Sequence, residues 1–373
     1  MRRGIKKLSL LLLAVFILLP AAGCKNSPEI PAAGGIASSP FDGEKIVVHG
    51  LQDSDFEITA GELKKLGAVT RNVEASRASG EKIKLKATGP LLDTFLQKYG
   101  RTQKDFTAVR FSARDNYSIA VPADILKNRQ IILAYINDGR QLEAEDRPVR
   151  VVIPGERAMY WVRMLKRIDF ETGESARPCK KAVLLETAVK DLPQEDYSYY
   201  DSVDKAVKTR DLVDRYVGAD DGSMKNVFML AGDGLKKNET KENFLSAFIK
   251  ITGLDQPKFL APQFPQGMHI RDLLCLNYDT TAFFSVSQGS KVLERRSAGA
   301  RSGVGFWDII KKVGMVTSER YRVTGADGTS AELEASELAG GLVYQEDDGA
   351  LMFISGEPPQ KTVRDALLIE ALS

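Results

Sequence analysis

Three stretches decide the architecture: Trp161-Val-Arg-Met-Leu-Lys-Arg-Ile-Asp169, His269-Ile-Arg-Asp-Leu-Leu-Cys-Leu-Asn277 and Thr362-Val-Arg-Asp-Ala-Leu-Leu-Ile-Glu370. Each places a branched aliphatic before an arginine and closes an apolar-rich tail on a polar residue. Self-similarity at such spacing is the mark of a repeat. Upstream of each ending the same order of elements recurs. An amphipathic helix is expected at Pro90 to Tyr99, Thr209 to Val217 and Phe306 to Val313, with apolar residues such as Leu91, Leu92, Phe95 and Leu96 at helical spacing and Pro90 in a first-turn position. A strand follows at Thr107 to Ala113, Asn226 to Ala231 and Arg320 to Gly325. Each strand runs into a pair suited to positive φ, Asp115-Asn116, Asp233-Gly234 and Asp327-Gly328, as hairpins require.

The expected fold is therefore α+β, a tandem repeat of three small mixed-sheet modules over residues 44–170, 181–279 and 280–372. Each would pack one helix on a twisted, mostly β body. The polar stretch Glu171 to Lys180, with Gly173 and Pro178, reads as a linker.

Residues 1–23 carry Arg2, Arg3, Lys6 and Lys7, an uncharged run from Leu8 to Pro20, and Ala21-Ala22-Gly23 before Cys24. A basic start, a short apolar stretch and small residues make a secretory signal, and the run is too short to span a bilayer comfortably. The Ala-Ala-Gly-Cys segment resembles the lipobox of bacterial lipoproteins, with Ala21 where Leu is commoner. That resemblance implies cleavage before Cys24 and a lipid on its sulfur. Residues 24–43, rich in Pro, Ala, Gly and Ser, read as a flexible tether. The expected location is the cell membrane, lipid-anchored on the extracytoplasmic face.

Losing the leader removes four of the 52 Lys+Arg and leaves 48 against 50 Asp+Glu. A net charge near −2 excludes a nucleic-acid binder, which needs a basic surface. Cys179 and Cys275 are the remaining cysteines. Export permits a disulfide between them, while the apolar run around Cys275 favours a buried thiol. Two histidines, His49 and His269, are a poor supply for a metal site.

The first module resembles the sulfite-oxidase-type molybdopterin-binding domain. Phe56-Glu-Ile-Thr-Ala-Gly-Glu-Leu-Lys-Lys-Leu66 is similar to its opening strand and helix, and Gly89-Pro-Leu-Leu-Asp-Thr-Phe-Leu96 to its next helix. Phe111-Ser-Ala-Arg-Asp-Asn-Tyr-Ser118 resembles its Asp-Gly-Tyr turn, with Asn116 for Gly. Ile131-Ile-Leu-Ala-Tyr135, Gly139, Pro148-Val-Arg-Val-Val-Ile-Pro154 and Tyr160-Trp161-Val162 complete the likeness. The family holds molybdenum on a cysteine between the two helices. Here that segment, Thr70 to Gly80, has no cysteine, and a serine hydroxyl does not replace a soft thiolate.

The resemblance leaves Ser76, Arg77, Arg150 and Arg163 as candidates for holding a cofactor or anion. Ala75, Ser76 and Arg77 are expected to border a concavity facing the Arg150 side of the sheet, collapsed or weakly binding. Arg147, Arg150, Arg157, Arg163 and Arg167 cluster there; the plainer reading pairs them with Glu143, Glu145 and Asp146. Asp196 to Asp201 and Gly218 to Ser223 carry oxygen ligands but lack the spacing of a calcium loop. Gly303-Val-Gly305 before a helix is explained by helix geometry.

The first functional reading is a non-catalytic ligand- or partner-binding or scaffold protein, with no catalytic residue, no metal and no cofactor expected. Its partners would be the membrane, through Cys24, and an unknown small molecule or protein. The alternative is a molybdopterin-dependent oxidoreductase with a non-cysteine ligand. Changing Cys24 to Ser should release the protein from the detergent phase in a partitioning assay; unchanged partitioning contradicts the anchor.

Overall fold

The computed structural model describes residues 39–372 except 78, 174–175, 200–201, 219–221 and 357. Cys24, the leader and most of the tether lie outside the described residues. No described helix is long and apolar enough to cross a membrane.

The first unit is built on a five-stranded sheet in the order Phe56–Thr59, Lys45–His49, Leu165–Glu171, Ala108–Ala113, Ser118–Pro122. Only Lys45–His49 and Leu165–Glu171 run parallel in it. A second sheet joins the long hairpin Ala68–Ser76 and Lys82–Pro90 to Ile136–Asn137 and Arg140–Gln141. Ile46, Phe111, Leu92, Phe95, Leu133 and Val151 lie in the core of this unit. The stretch Phe56 to Leu66 forms a strand and the helix Ala60–Lys64; Thr59 and Glu62 form a reciprocal capping box, which satisfies two backbone amides left open by the first turn.

Pro90 does not open a helix. It closes the strand Lys82–Pro90, and the helix runs Leu92–Leu96 with Leu91 as its N-cap. The strand persists because Gly89 lies flat against the Leu133 carbonyl, 2.0 Å from where a Cβ would stand. Residues 39–43 are not tether. Ser39 bonds to Gln141, Asp42 pairs with Lys64 and Phe41 stacks on Arg147, so the packed body begins earlier than position 44.

Residues 181–372 share one eight-stranded sheet, ordered Lys236–Thr240, Asn226–Ala231, Leu273–Tyr278, Thr281–Phe284, Lys181–Leu184, Ala366–Leu372, Arg320–Gly325, Ser330–Glu334. The boundary expected at 279/280 falls in its hairpin turn, at Asp279 with φ +52. The central pair, Lys181–Leu184 and Thr281–Phe284, is parallel. Successive residues point to opposite faces. Ala182, Leu184, Ala282 and Phe284 join the core around Phe306, Ile309 and Phe353, while Val183 and Phe283 join the core around Leu212, Phe244 and Phe259. A sheet buried on both faces is apolar at consecutive positions rather than alternate ones, as Ala182-Val183-Leu184 and Ala282-Phe283-Phe284 are.

Helices Thr209–Tyr216 and Phe306–Val313 and the strands Asn226–Ala231 and Arg320–Gly325 fall on the expected stretches. Asn116, Gly234 and Gly328 all have positive φ. Val162, Ile270 and Val363 each lie against a neighbouring strand residue, Val151, Phe259 and Phe353. Met164, Asp272 and Asp365, two residues on, have φ of +49, +51 and +46. One helix per module is not what is found: each segment carries several short helical turns. Gly303 lies in the strand Arg301–Gly305, 2.3 Å from the Val343 carbonyl at its Cβ position, so close backbone packing requires the glycine. Asp196 belongs to the strand Glu195–Tyr199.

Cys179 and Cys275 are free and buried in the core around Phe306. Burial pushes both thiols up to about 12, which keeps them protonated and inert.

The first unit is fastened to the second by polar groups. Arg110, 6% exposed, donates from Nε to Glu171 Oε1 at 3.1 Å and from Nη2 to Asn226 Oδ1 at 2.9 Å. Asn226 Nδ2 donates to the other Glu171 oxygen at 3.1 Å. Tyr160 donates to the Lys236 carbonyl at 3.2 Å. Replacing Arg110 with Met should lower stability by about 3–5 kcal/mol, because it strands Glu171 without its charge partner in a water-poor seam. Thermal unfolding checks this, and a midpoint equal to wild type contradicts it.

Candidate functional site

Where the two units meet beside this seam lies a cavity of about 1190 Å³. Ser76, Arg77, Tyr117, Arg157, Trp161 and Arg163 line it from the first unit, and Asp233, Lys258, Gly267, His269 and Arg271 from the second. The concavity expected beside Ser76 and Arg77 is open rather than collapsed, and the second unit forms one of its walls.

Each wall has a local cause. Ser76 ends the strand Ala68–Ser76, where Arg77 and Glu81 close the hairpin by a backbone bond of 2.7 Å and an ion pair of 3.0 Å. Arg157 reaches across the gap, with Nη1 2.6 Å from Asp233 Oδ2 and Nη2 3.0 Å from the Asp233 carbonyl. Burial raises the Asp233 carboxyl, but bonds from Arg157 and the Leu235 amide outweigh it and hold the group below its ordinary value. Tyr117 donates to the Met159 carbonyl at 2.6 Å, and burial raises its phenol well above the ordinary range. Its ring packs on Gly267, where a Cβ would come within 2.8 Å.

The second wall rests on a buried ion pair. Lys237 and Glu239 are wholly buried and 3.0 Å apart. Lys237 also donates to the Met268 carbonyl, which pins the turn Gln266–Met268 carrying Gly267. Burial lowers the pKa of His269, and the nearby Lys258 and Lys237 charges add to that, so its ring is neutral at neutral pH. Burial likewise lowers Lys258, against the pull of Asp255.

Three of the four candidates from the sequence, Ser76, Arg77 and Arg163, meet in this cavity. Arg150 does not. It sits behind Trp161, 5.8 Å from the ring centroid, bonded to Asp146 at 3.1 Å, and burial lowers its pKa despite that partner. Ala75 is 1% exposed and faces the first core. Of the clustered arginines, Arg150 and Arg163 face Asp146, Arg157 takes Asp233, and Arg167 takes Asp55 and Asp169. None of these pairs uses Glu143 or Glu145. Arg157 was named in the arginine cluster, but Lys258, His269 and Arg271 escaped the sequence reading as site residues because their convergence depends on how two units dock. The shared ending at Arg163 and Arg271 was the available signal. Both now stand in the cavity, each 3.8 Å from its nearest carboxylate oxygen, whereas Arg364 is tied to Glu346 at 2.7 Å and to Asp348.

Residues 39–179 match the family described as oxidoreductase molybdopterin binding domain, and this segment is a domain of that type. Among solved structures, the crystal structure of the sulfane dehydrogenase SoxCD from Paracoccus pantotrophus is similar at 12% identity and a TM-score of 0.33. The alignment covers 91% of this chain and 65% of that chain, so the chain spans slightly under two thirds of that relative's length. No curated protein sequence matches the chain.

The residues present do not fit molybdenum held on a thiolate. The strand end where the family's sulfur is expected carries a core-facing Ala75 and the hydroxyl of Ser76. Both described cysteines lie in the other body. Among the described residues no group of three or more His, Cys, Asp or Glu is placed to hold a metal. The cavity's guanidinium, ammonium, carboxylate and aromatic groups suit the binding of a charged or polar molecule.

Proposed function

We propose that the protein is a lipid-anchored extracytoplasmic binding protein, built on a molybdopterin-type domain that has exchanged redox chemistry for ligand binding. The observation that carries this reading is an open, two-walled cavity lined by charged groups; the cysteine-free segment Thr70 to Gly80, where the resemblance would put the sulfur, supports it. By the resemblance, an oxidoreductase of this family holds its metal on a thiolate; a binding site needs only the cavity and its charges. The lipid on Cys24 would hold the body at the membrane, with a small polar molecule as its ligand.

We read residues 181–372 as two further copies of the first module's scheme. Support comes from the positive φ at Met164, Asp272 and Asp365 and from the register shifts beside Ala113, Ala231 and Gly325 in the strand pairs that follow. On this reading the duplicated material supplied the second wall.

The alternative is a molybdopterin-dependent enzyme using a non-cysteine ligand. It is favoured by the family match over residues 39–179 and by Ser76 and Arg163 sharing the cavity.

Extraction of the purified full chain, made in cells that produce the molybdenum cofactor, separates the two. Mass spectrometry should find a bound small molecule other than a pterin. Gly267→Trp, which drives a ring into the cavity floor, should lose it. A pterin fluorophore in the extract, or equal retention by Gly267→Trp, contradicts the proposal.

A further inference from the structure

A second, far smaller void lies under residues 39–42, away from the cleft. Its volume is about 20 Å³, and Phe41, Lys64, Tyr135, Gln141 and Arg147 are among the residues around it. That is room for one water-sized sphere. Its polar groups are unusual. Tyr135 is 3% exposed, and its hydroxyl is buried without a hydrogen-bond partner. Arg147 has both Nε and Nη1 buried and unpartnered, and no ion pair involving it occurs among the described residues. The other groups are committed: Lys64 is paired with Asp42, and Gln141 Oε1 accepts from Ser39 Oγ at 3.3 Å.

Leaving a buried donor without an acceptor is costly, and more so when it is charged. Three such atoms on two side chains at one void therefore call for an occupant. The geometry defines its chemistry. Phe41 covers the face of the Arg147 guanidinium, its centroid 3.3 Å from the central carbon. A guanidinium donates in its own plane, so stacking leaves the Nε and Nη1 edge free to bind. The occupant must accept from that fork and from the Tyr135 O–H, answer an unbalanced positive charge, and be about the size of one water. Carboxylates, phosphates and sulfates are too large for 20 Å³. A water can fill the fork but brings no counter-charge to it, and Asp42, which also lines the void, is already paired with Lys64.

We propose that this void is a chloride-binding site. The ion accepts from Arg147 Nε, Arg147 Nη1 and the Tyr135 hydroxyl. It fastens the 39–42 segment, through Phe41 and Arg147, to the loop that precedes the strand Arg150–Val152. The site is independent of the cleft and stands whether or not the cleft binds a ligand.

The test compares thermal unfolding of the full chain in sodium chloride and in sodium gluconate at equal ionic strength. Chloride at ten times its dissociation constant should raise the midpoint by roughly 2 °C, saturably. Arg147→Met should remove the difference between the salts, and Tyr135→Phe should weaken the apparent chloride affinity several-fold. Crystals of the unmodified protein grown in bromide should show an anomalous peak between Arg147 and Tyr135. Equal midpoints in the two salts, a chloride effect undiminished in Arg147→Met, or a bromide map without that peak overturns the proposal.

Discussion

Arg110, Glu171 and Asn226 form the contact on which the cleft depends. Glu171 ends the last strand of the first unit's sheet and Asn226 begins a strand of the eight-stranded sheet. Arg110 holds both from the centre of its own strand. Buried polar groups of this kind are expensive when half-satisfied and directional when complete. They fix one docking geometry, whereas an apolar seam would tolerate sliding. With the units so fixed, Arg157 meets Asp233, Tyr117 meets Gly267, and a cavity remains between them as a consequence of docking.

The body that provides the second wall is organised by a different constraint. Its central strands are covered on both faces, so neither core can be removed without exposing the other side of the same sheet. The parallel pair Lys181–Leu184 and Thr281–Phe284 divides its side chains between two cores at alternate positions. The helix Phe306–Val313 presses Phe306, Ile309 and Ile310 onto one of them and ends at Gly314 in the left-handed conformation, φ +67, which glycine adopts without steric cost. Rigidity then passes from this sheet to the cleft through the strands Asn226–Ala231 and Lys236–Thr240, whose Lys237 pins the Gln266–Met268 turn.

Much of the local structure was legible in the sequence. Asn116, Gly234 and Gly328 announce hairpins, and the stripe from Phe306 to Val313 announces a buried helix face. These signals are short-range, and tertiary packing leaves them unchanged. Pro90 misled because its fixed φ suits a strand end as well as a first helical turn, and contact with the 132–134 strand decides between them. Arg150 misled because strand periodicity gives a face but not what lies over it; Trp161 lies over it. The eight-stranded sheet was hidden because its consecutive apolar runs read alike as buried strand or short helix. The cleft was hidden most deeply, since no local pattern says that residues near 76 and near 267 share a cavity.

The first unit has the architecture of a domain that elsewhere holds molybdopterin. Within it Ala75 faces the core and Ser76 stands at the cavity's edge, and on the proposed reading this is where the family's sulfur has been lost. The cavity's arginines, lysine and aspartate suit a charged or polar ligand. The most direct measurement is the molybdenum content of the full chain, purified from a host that makes the cofactor in excess. The account predicts molybdenum at background level. A value approaching one molybdenum per chain would contradict it and restore the oxidoreductase reading.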